Sequence, residues 1–314
     1  IRFLINDLNQ FKMLQKFNPK NQNIQIWVGD RLYPRAEAKI SVFDSVVQGG
    51  DAVWEGLRVY QEGLFCLEAH LDRLLASAHT LMFDDIPNKN TIRKAIKQTL
   101  EANAMTCDTH IRLTLTRGSK ITSGMDPRLN QSVSSLIVLA EWKPPVYNNE
   151  KGITVITSSV RRNSPMHLDS KIHHNNLLNN ILAKIEANHA GADAALMLDN
   201  QGFLAELNGT NIFLVKDNRI RTPLPHACLP GITRNLVLQL CKINEIAYTE
   251  ENISLSEAYN ADIVFATGTM GELTPITEID GRKILNNNTT YLFDEICNLF
   301  DNCKSENCTP ISKL

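Results

Sequence analysis

The order of apolar and polar positions divides the chain into short, regular stretches. Residues 26–34 alternate and turn at Gly29-Asp30, which predicts a β-hairpin. Residues 64–67 read as a further short strand, and then the period changes. Leu67, Leu71, Leu74, Leu75, Ala78 and Met82 lie along one helical face, so a helix is expected over 67–82. A second fits 91–103, with Ile92, Ile96 and Leu100 in register after Pro87. Ile111, Leu113 and Leu115 alternate with polar neighbours, and 135–142 also reads as a strand. The stretch 142–152 holds Pro144, Pro145 and polar turn residues without any period, which marks a linker.

Beyond it, 153–158 reads as a strand and 175–189 as a helix with Leu177, Leu178, Ile181, Leu182 and Ile185 along one side. Strands at 194–199, 203–207, 211–216 and 219–222, with turns at 199–202 and Asp217-Asn218, predict a meander rather than a βαβ repeat. Gly231 opens a helix to Ile243, 262–267 is a strand, 276–284 a hairpin around Asp280-Gly281, and 290–300 a closing helix. The expected class is α/β of the mixed α+β kind in two lobes. After an N-terminal extension over 1–25, a small α/β domain occupies 26–144 and a larger domain 145–314.

Composition narrows the function. Thirty-two basic against 34 acidic residues in 314 give a net charge of −2, with a pI near 6.5. No global basic field follows, so neither nucleic acid nor a membrane is an expected partner. The longest apolar runs, such as 136–140, are far short of the ~20 residues of a membrane span. The seven cysteines are scattered and include no C-x-x-C pair, which argues against a disulfide framework and a zinc site and for a reducing, cytoplasmic compartment. Residues 1–24 are basic but lack the Ser and Arg richness of a transit peptide.

No G-x-G-x-x-G, Walker lysine, nucleophile-elbow serine or H-E-x-x-H is present. Subtler features must hold a ligand. Leu229-Pro230-Gly231-Ile232-Thr233-Arg234 precedes an apolar helical pattern, so the Ile232 and Thr233 N–H groups sit at a helix N-terminus, where phosphate is stabilised. Gly268-Thr269-Met270-Gly271 follows a strand and offers a hydroxyl and close backbone approach. Lys171 stands between a strand and the 175–189 helix; a loop lysine there is a solvated charge or, among hydrogen-bonding neighbours, a Schiff-base amine. The adjacent His173 and His174 diverge and have no partner spacing for a metal, and none is expected. Glu206, among apolar strand residues, is either a surface-facing alternation or a carboxylate held beside a cation.

Six blocks in this order, 48–60, 68–74, Lys171 with 181–187, 202–213, 229–234 and 267–275, resemble the fold type IV pyridoxal 5′-phosphate (PLP) aminotransferases, and among them the branched-chain-amino-acid aminotransferase-like proteins. The resemblance runs from about 26 to 300 and implies PLP in a crevice between the two domains of a homodimer, with an amino acid and a 2-oxo acid as substrates. It assigns Lys171 as the Schiff-base amine and proton carrier, and Glu206 as the partner of the pyridine nitrogen. It gives the phosphate to Arg73, Ile232, Thr233 and Thr269.

Departures fall on the substrate side. Branched-chain members of the family carry a tyrosine five residues after the lysine, where this chain has Asn176. They have a tyrosine ahead of the G-x-x-[FY]-E-G segment, here Gly49, and Tyr-Ile-Arg, here His110-Ile111-Arg112. The Arg-x-His carboxylate trap of the D-amino-acid enzymes is absent after Thr116-Arg117-Gly118. The family resemblance therefore points to L-amino acids, with the 268–271 strand end receiving the α-carboxylate and Trp54, Arg58, His110, Arg112, Asn176 and Met270 bordering the substrate. Arg58 and Arg112 either meet the side-chain carboxylate of glutamate or pair with surface acids. The expected reaction is transamination between a branched-chain or similar amino acid and a 2-oxo acid such as 2-oxoglutarate. D-amino-acid transfer and a PLP lyase of the aminodeoxychorismate lyase type share the fold and stand as alternatives.

Overall fold

The computed structural model describes residues 15–284 and 291–314. The first part of the expected 1–25 extension, and residue 290 of the expected closing helix, lie outside the described residues. The chain forms two compact units. One comprises Asn18–Pro144, Lys171–Leu177 and Leu299–Leu314; the other is built on Pro145–Ser170 and Leu178–Asn298. The passage at Pro144 falls within the expected linker. The expected 145–314 domain is not continuous, however, because Lys171–Leu177 and Leu299–Leu314 fold with the first unit.

Among the described residues of the first unit, seven strands form one sheet in the order β16-β4-β3-β5-β6-β1-β2. They are β1 (Gln25–Val28), β2 (Arg31–Pro34), β3 (Ala52–Tyr60), β4 (Gly63–Phe65), β5 (Thr109–Thr116), β6 (Ser135–Trp142) and β16 (Cys308–Thr309). Every pairing is antiparallel. Val53, Leu57, Val59, Ile111, Leu113 and Leu115 join Leu67, Leu71, Leu74, Ile92, Ile96 and Leu100 in one core, so both predicted helices, observed at Leu67–Thr80 and Lys89–Ala102, cover this sheet with their apolar faces. Asn88 starts the second by accepting the Thr91 N–H. Strand β3 gave no alternating signal because Ala52, Val53 and the whole stretch 55–59 are buried, and a strand buried on both faces loses the period of two.

Among the described residues of the second unit, nine strands form a mixed sheet: β12-β11-β10-β13-β14-β7-β8-β9, with β15 on β14. They are β7 (Ile153–Thr157), β8 (Ala194–Leu198), β9 (Leu204–Leu207), β10 (Asn211–Lys216), β11 (Arg219–Pro223), β12 (Tyr248–Glu251), β13 (Ile263–Gly268), β14 (Glu272–Ile279) and β15 (Arg282–Lys283). The expected meander is instead two antiparallel hairpins, β8/β9 and β10/β11, because β10 takes β13 as its other neighbour. Strands β7 and β8 are parallel, joined across the helix Leu178–His189. That helix begins three residues later than expected, and its apolar side is not the buried one: Ala183 and Ala187 pack on Ala195 and Met197, while Leu178, Ile181, Leu182 and Ile185 are exposed. Among the described residues no helix is long and apolar enough to cross a membrane.

Candidate active site

In the first unit, β3 divides the candidate residues between two faces. Glu55 points with Val53 and Leu57 towards the Leu67–Thr80 helix, whose His70 and Arg73, three apart, share a face. Arg73 grips the Glu55 carboxylate with two hydrogen bonds, Nε to Oε1 at 2.8 Å and Nη2 to Oε2 at 2.7 Å. His70 Nδ1 lies 2.7 Å from Oε2 and His173 Nδ1 3.0 Å from Oε1. Burial opposes ionisation of Glu55, but the His173 ring and hydrogen bonds from Arg73, His173 and His70 outweigh it and hold the carboxyl well below its usual range. Burial pushes His173 down to about 4 against the pull of Glu55, so the ring is neutral at pH 7 and Arg73 is the cation that matches the carboxylate there.

Trp54, Gly56 and Arg58 point to the opposite face, cross-strand from Thr114, Arg112 and His110. Arg112 Cζ lies 3.4 Å from the centroid of the Trp54 ring, and its Nη2 donates to Asn175 Oδ1 at 3.3 Å. Gly56 leaves room for this group, since a Cβ there would meet His110 Nε2 at 3.2 Å and the Trp54 ring at 3.5 Å. Arg58 is turned elsewhere: it donates to the Lys143 carbonyl and lies 3.8 Å from Asp108. Lys171 and Asn176 are exposed, and Asn176 packs against Gly50.

In the second unit Glu206 is resolved between its two readings: it is buried on β9, not surface-facing. Arg162 Nε donates to Oε1 at 2.6 Å, while Asn211 Nδ2 at 3.2 Å and the Leu229 N–H at 3.3 Å donate to Oε2. Asn211 Nδ2 also donates to the Leu229 carbonyl at 2.8 Å, tying the carboxylate to the 229–231 turn. Gly231 is required at that turn, because a Cβ would stand 2.0 Å from Asn211 Oδ1. The helix it precedes, Ile232–Ile243, has no side-chain N-cap hydrogen bond, so the Ile232 and Thr233 N–H groups form an anion-accepting end. Buried Arg162 Nη1, Thr210 Oγ1 and Thr267 Oγ1 have no partner among the described residues. Arg162 Nη1 belongs to the guanidinium that grips Glu206, and Thr267 pairs across strands with Asn211, another partner of that carboxylate, while Thr210 packs on Gly268. Thr269 and Met270 form the turn after β13, where the Met270 carbonyl accepts from Val146 at 2.9 Å and the Gly271 N–H donates to Gly268 at 3.2 Å.

The residues in contact with candidate site residues that the sequence reading missed are Glu55, His70, Arg162 and Asn211, together with His173, which it considered only as a metal ligand. The His70 and Arg73 spacing was a usable signal; the others depend on long-range contacts.

The family described as Amino-transferase class IV matches residues 52–279. The branched-chain-amino-acid aminotransferase-like protein 2 of Arabidopsis thaliana is 58% identical over 266 residues, 85% of this chain and 48% of its own length. This chain thus spans about half the length of that relative. A branched-chain-amino-acid aminotransferase of Pseudomonas aeruginosa is 36% identical over 268 residues, 82% of this chain and 86% of its own. The crystal structure of a T.th. branched-chain amino acid aminotransferase complexed with N-(5'-phosphopyridoxyl)-L-glutamate aligns with a TM-score of 0.83 and 31% identity, covering 91% of this chain and 95% of that one. A family match over 52–279, joined to relatives that align along most of the chain, means that this protein belongs to the class IV aminotransferases.

Proposed function

We propose that this protein transfers an amino group between an α-amino acid and a 2-oxo acid with PLP as cofactor, that the amino acid is a branched-chain or similar L-amino acid, and that 2-oxoglutarate is an acceptor. The observation that carries the reading is Glu206, a buried carboxylate anchored by Arg162 and tied through Asn211 to an uncapped helix start. When bound, PLP supplies an electrophilic carbon for amines and a ring that accepts the electron pair left at the substrate Cα. Lys171 holds the cofactor through its amine and moves the proton at the substrate Cα. Arg73, the Ile232 and Thr233 N–H groups and the Thr269 hydroxyl hold the phosphate. Glu206 keeps a proton on the ring nitrogen, and Arg162 and Asn211 keep Glu206 in place. The N–H groups of Thr269 and Met270 receive the α-carboxylate, with Trp54, His110, Arg112 and Asn176 bordering the side chain.

The exposed stripe of Leu178, Ile181, Leu182 and Ile185 supports a homodimer, since four large apolar side chains on one helix face form a surface that association would withdraw from water. Sedimentation should report about twice the 35.2 kDa chain mass.

The deciding experiment loads the protein with PLP and adds L-leucine without acceptor. A transaminase converts the lysine-bound absorption to that of the amine form and stops there. A lyase of the aminodeoxychorismate lyase type finds no leaving group to expel from leucine and keeps the lysine-bound band, and a chain without PLP chemistry shows no band. Failure to accumulate the amine form with L-leucine or L-glutamate, but accumulation with D-alanine, would overturn the L assignment.

A further inference from the structure

The segment that follows Lys171 is bound to β3 as a short extra strand. The Trp54 N–H donates to the His173 carbonyl at 2.9 Å and the Asn175 N–H to the Ala52 carbonyl at 2.8 Å, while Val53 and His174 form an antiparallel bridge. Trp54 Nε1 adds a bond to the His174 carbonyl at 3.1 Å, and the His173 N–H donates to Ser77 Oγ at 3.1 Å. Such backbone pairing alone leaves register weakly specified, because a slipped strand keeps a ladder of similar bonds.

Glu55, one residue beyond the last paired position, removes that freedom. Its Oε1 accepts from both Arg73 Nε and His173 Nδ1, and its Oε2 from Arg73 Nη2 and His70 Nδ1. The side chain is wholly withdrawn from water. A charged carboxylate in that position is expensive, and an apolar residue would serve the core at lower cost. What an apolar residue cannot do is hold two elements at once. The His173 ring also packs on Trp54, with centroids 4.1 Å apart, so it is fixed from two sides.

We infer that Glu55 and His173 are positioning residues: Glu55 clamps the Arg73 guanidinium and, through His173, sets the register of the segment that carries Lys171, so that the phosphate-holding cation and the reactive amine keep one fixed spacing. The inference rests on the PLP reading of Lys171 and Arg73. It attributes to Glu55 no contact with substrate or cofactor; it acts through Arg73 and through the residue two positions after Lys171.

The test compares wild type with Glu55→Gln and His173→Phe, measuring PLP affinity by equilibrium titration and the pH midpoint of the lysine-bound PLP absorption. Glu55→Gln keeps the shape but removes the charge, and should weaken PLP binding about tenfold or more and displace the midpoint. His173→Phe keeps the packing on Trp54 and removes Nδ1. It should hold PLP affinity to within about threefold, because Arg73 keeps its clamp, yet shift the midpoint by about half a pH unit or more. A merely structural role would lower thermal stability in both variants without moving the midpoint. Wild-type affinity and midpoint in Glu55→Gln, or an unmoved midpoint in His173→Phe, would overturn the inference while leaving the PLP reading intact. If Glu55→Gln does not fold, the His173→Phe midpoint decides alone. Wild-type protein that takes up no PLP would overturn the parent reading, and this inference with it.

Discussion

Arg162 and Glu206 form an ion pair at 2.6 Å, Nε to Oε1, with only 7% and 6% of their side chains exposed. Because the pair is buried, removing one partner leaves an uncompensated charge, so Arg162→Met should cost about 3–5 kcal/mol of stability in denaturant unfolding. Glu206→Gln keeps the shape but leaves the buried Arg162 guanidinium without its counter-charge, so it should lower stability as well. In the folded variant PLP should remain bound and turnover should fall by about tenfold to a hundredfold, the worth of a charge-assisted bond to the ring nitrogen. Turnover of Glu206→Gln at the wild-type rate would remove Glu206 from the proposed role.

Gly231 offers a test of the link between Glu206 and the helix start. A methyl group there would lie 2.0 Å from Asn211 Oδ1 and 3.2 Å from its Cγ. Asn211 must therefore rotate away, losing its bonds to Glu206 and to the Leu229 carbonyl. Gly231→Ala should cost about 1–3 kcal/mol, the usual price of overpacking, and weaken PLP binding as well. Calorimetry and a PLP titration on one variant check both; lost stability with unchanged PLP affinity would separate Asn211 from the cofactor.

The two sites differ in how far the sequence revealed them. Both helices of the first unit were visible in Leu67, Leu71, Leu74 and in Ile92, Ile96, Leu100, because each packs one face on a sheet and exposes the other. Strand β3 was invisible as a strand, since its burial on both faces erases alternation, and only its likeness to a family drew attention to Trp54 and Arg58. Glu206 was visible as a polar residue in an apolar strand, yet its two readings could be separated only by Arg162, which is 44 residues away. The apolar side of Leu178–His189 misled by orientation: small Ala183 and Ala187 let the helix sit close on β8, leaving the larger residues outside. Periodicity reports that a helix has an apolar face, not what covers it.

Arg112 and Arg58 entered as equivalent candidates for the glutamate side chain, and their surroundings separate them. Arg58 is committed to the Lys143 carbonyl and approaches Asp108, whose side chain is 83% exposed. Arg112 lies on Trp54 and reaches Asn175. Burial lowers its pKa to about 10, with the Glu55 carboxylate pulling the other way, so it is a cation at pH 7 with little competition from acids. Arg112→Met should raise KM for 2-oxoglutarate about tenfold or more while changing KM for leucine by less than about threefold. Arg58→Met should act through stability instead. Equal changes for both substrates in Arg112→Met would argue for a packing role.

Two half-buried histidines, His110 and His173, predict how stability follows pH. Burial pushes His110 down to about 3, helped by the positive Lys143, Arg112 and Arg58, and pushes His173 down to about 4. In the unfolded chain both titrate near 6.5. Below that pH the unfolded chain binds protons that the folded one refuses, so stability is fully present above about 6.5 and falls as pH falls. Each ring costs roughly 1.4 kcal/mol per pH unit until its own folded value is reached. The carboxylates held below their usual range, Glu55 among them, add a loss of the same sign, but only below about 4.5. The window from 6.5 to 5 therefore belongs to the histidines. At pH 5 the pair should have cost about 4 kcal/mol, lowering Tm by roughly 5–10 °C relative to pH 7.5. His110→Gln cannot be protonated in either state, so it should lose about half of that pH dependence in calorimetric scans. The same slope in His110→Gln and wild type would mean that His110 takes up its proton in the folded protein.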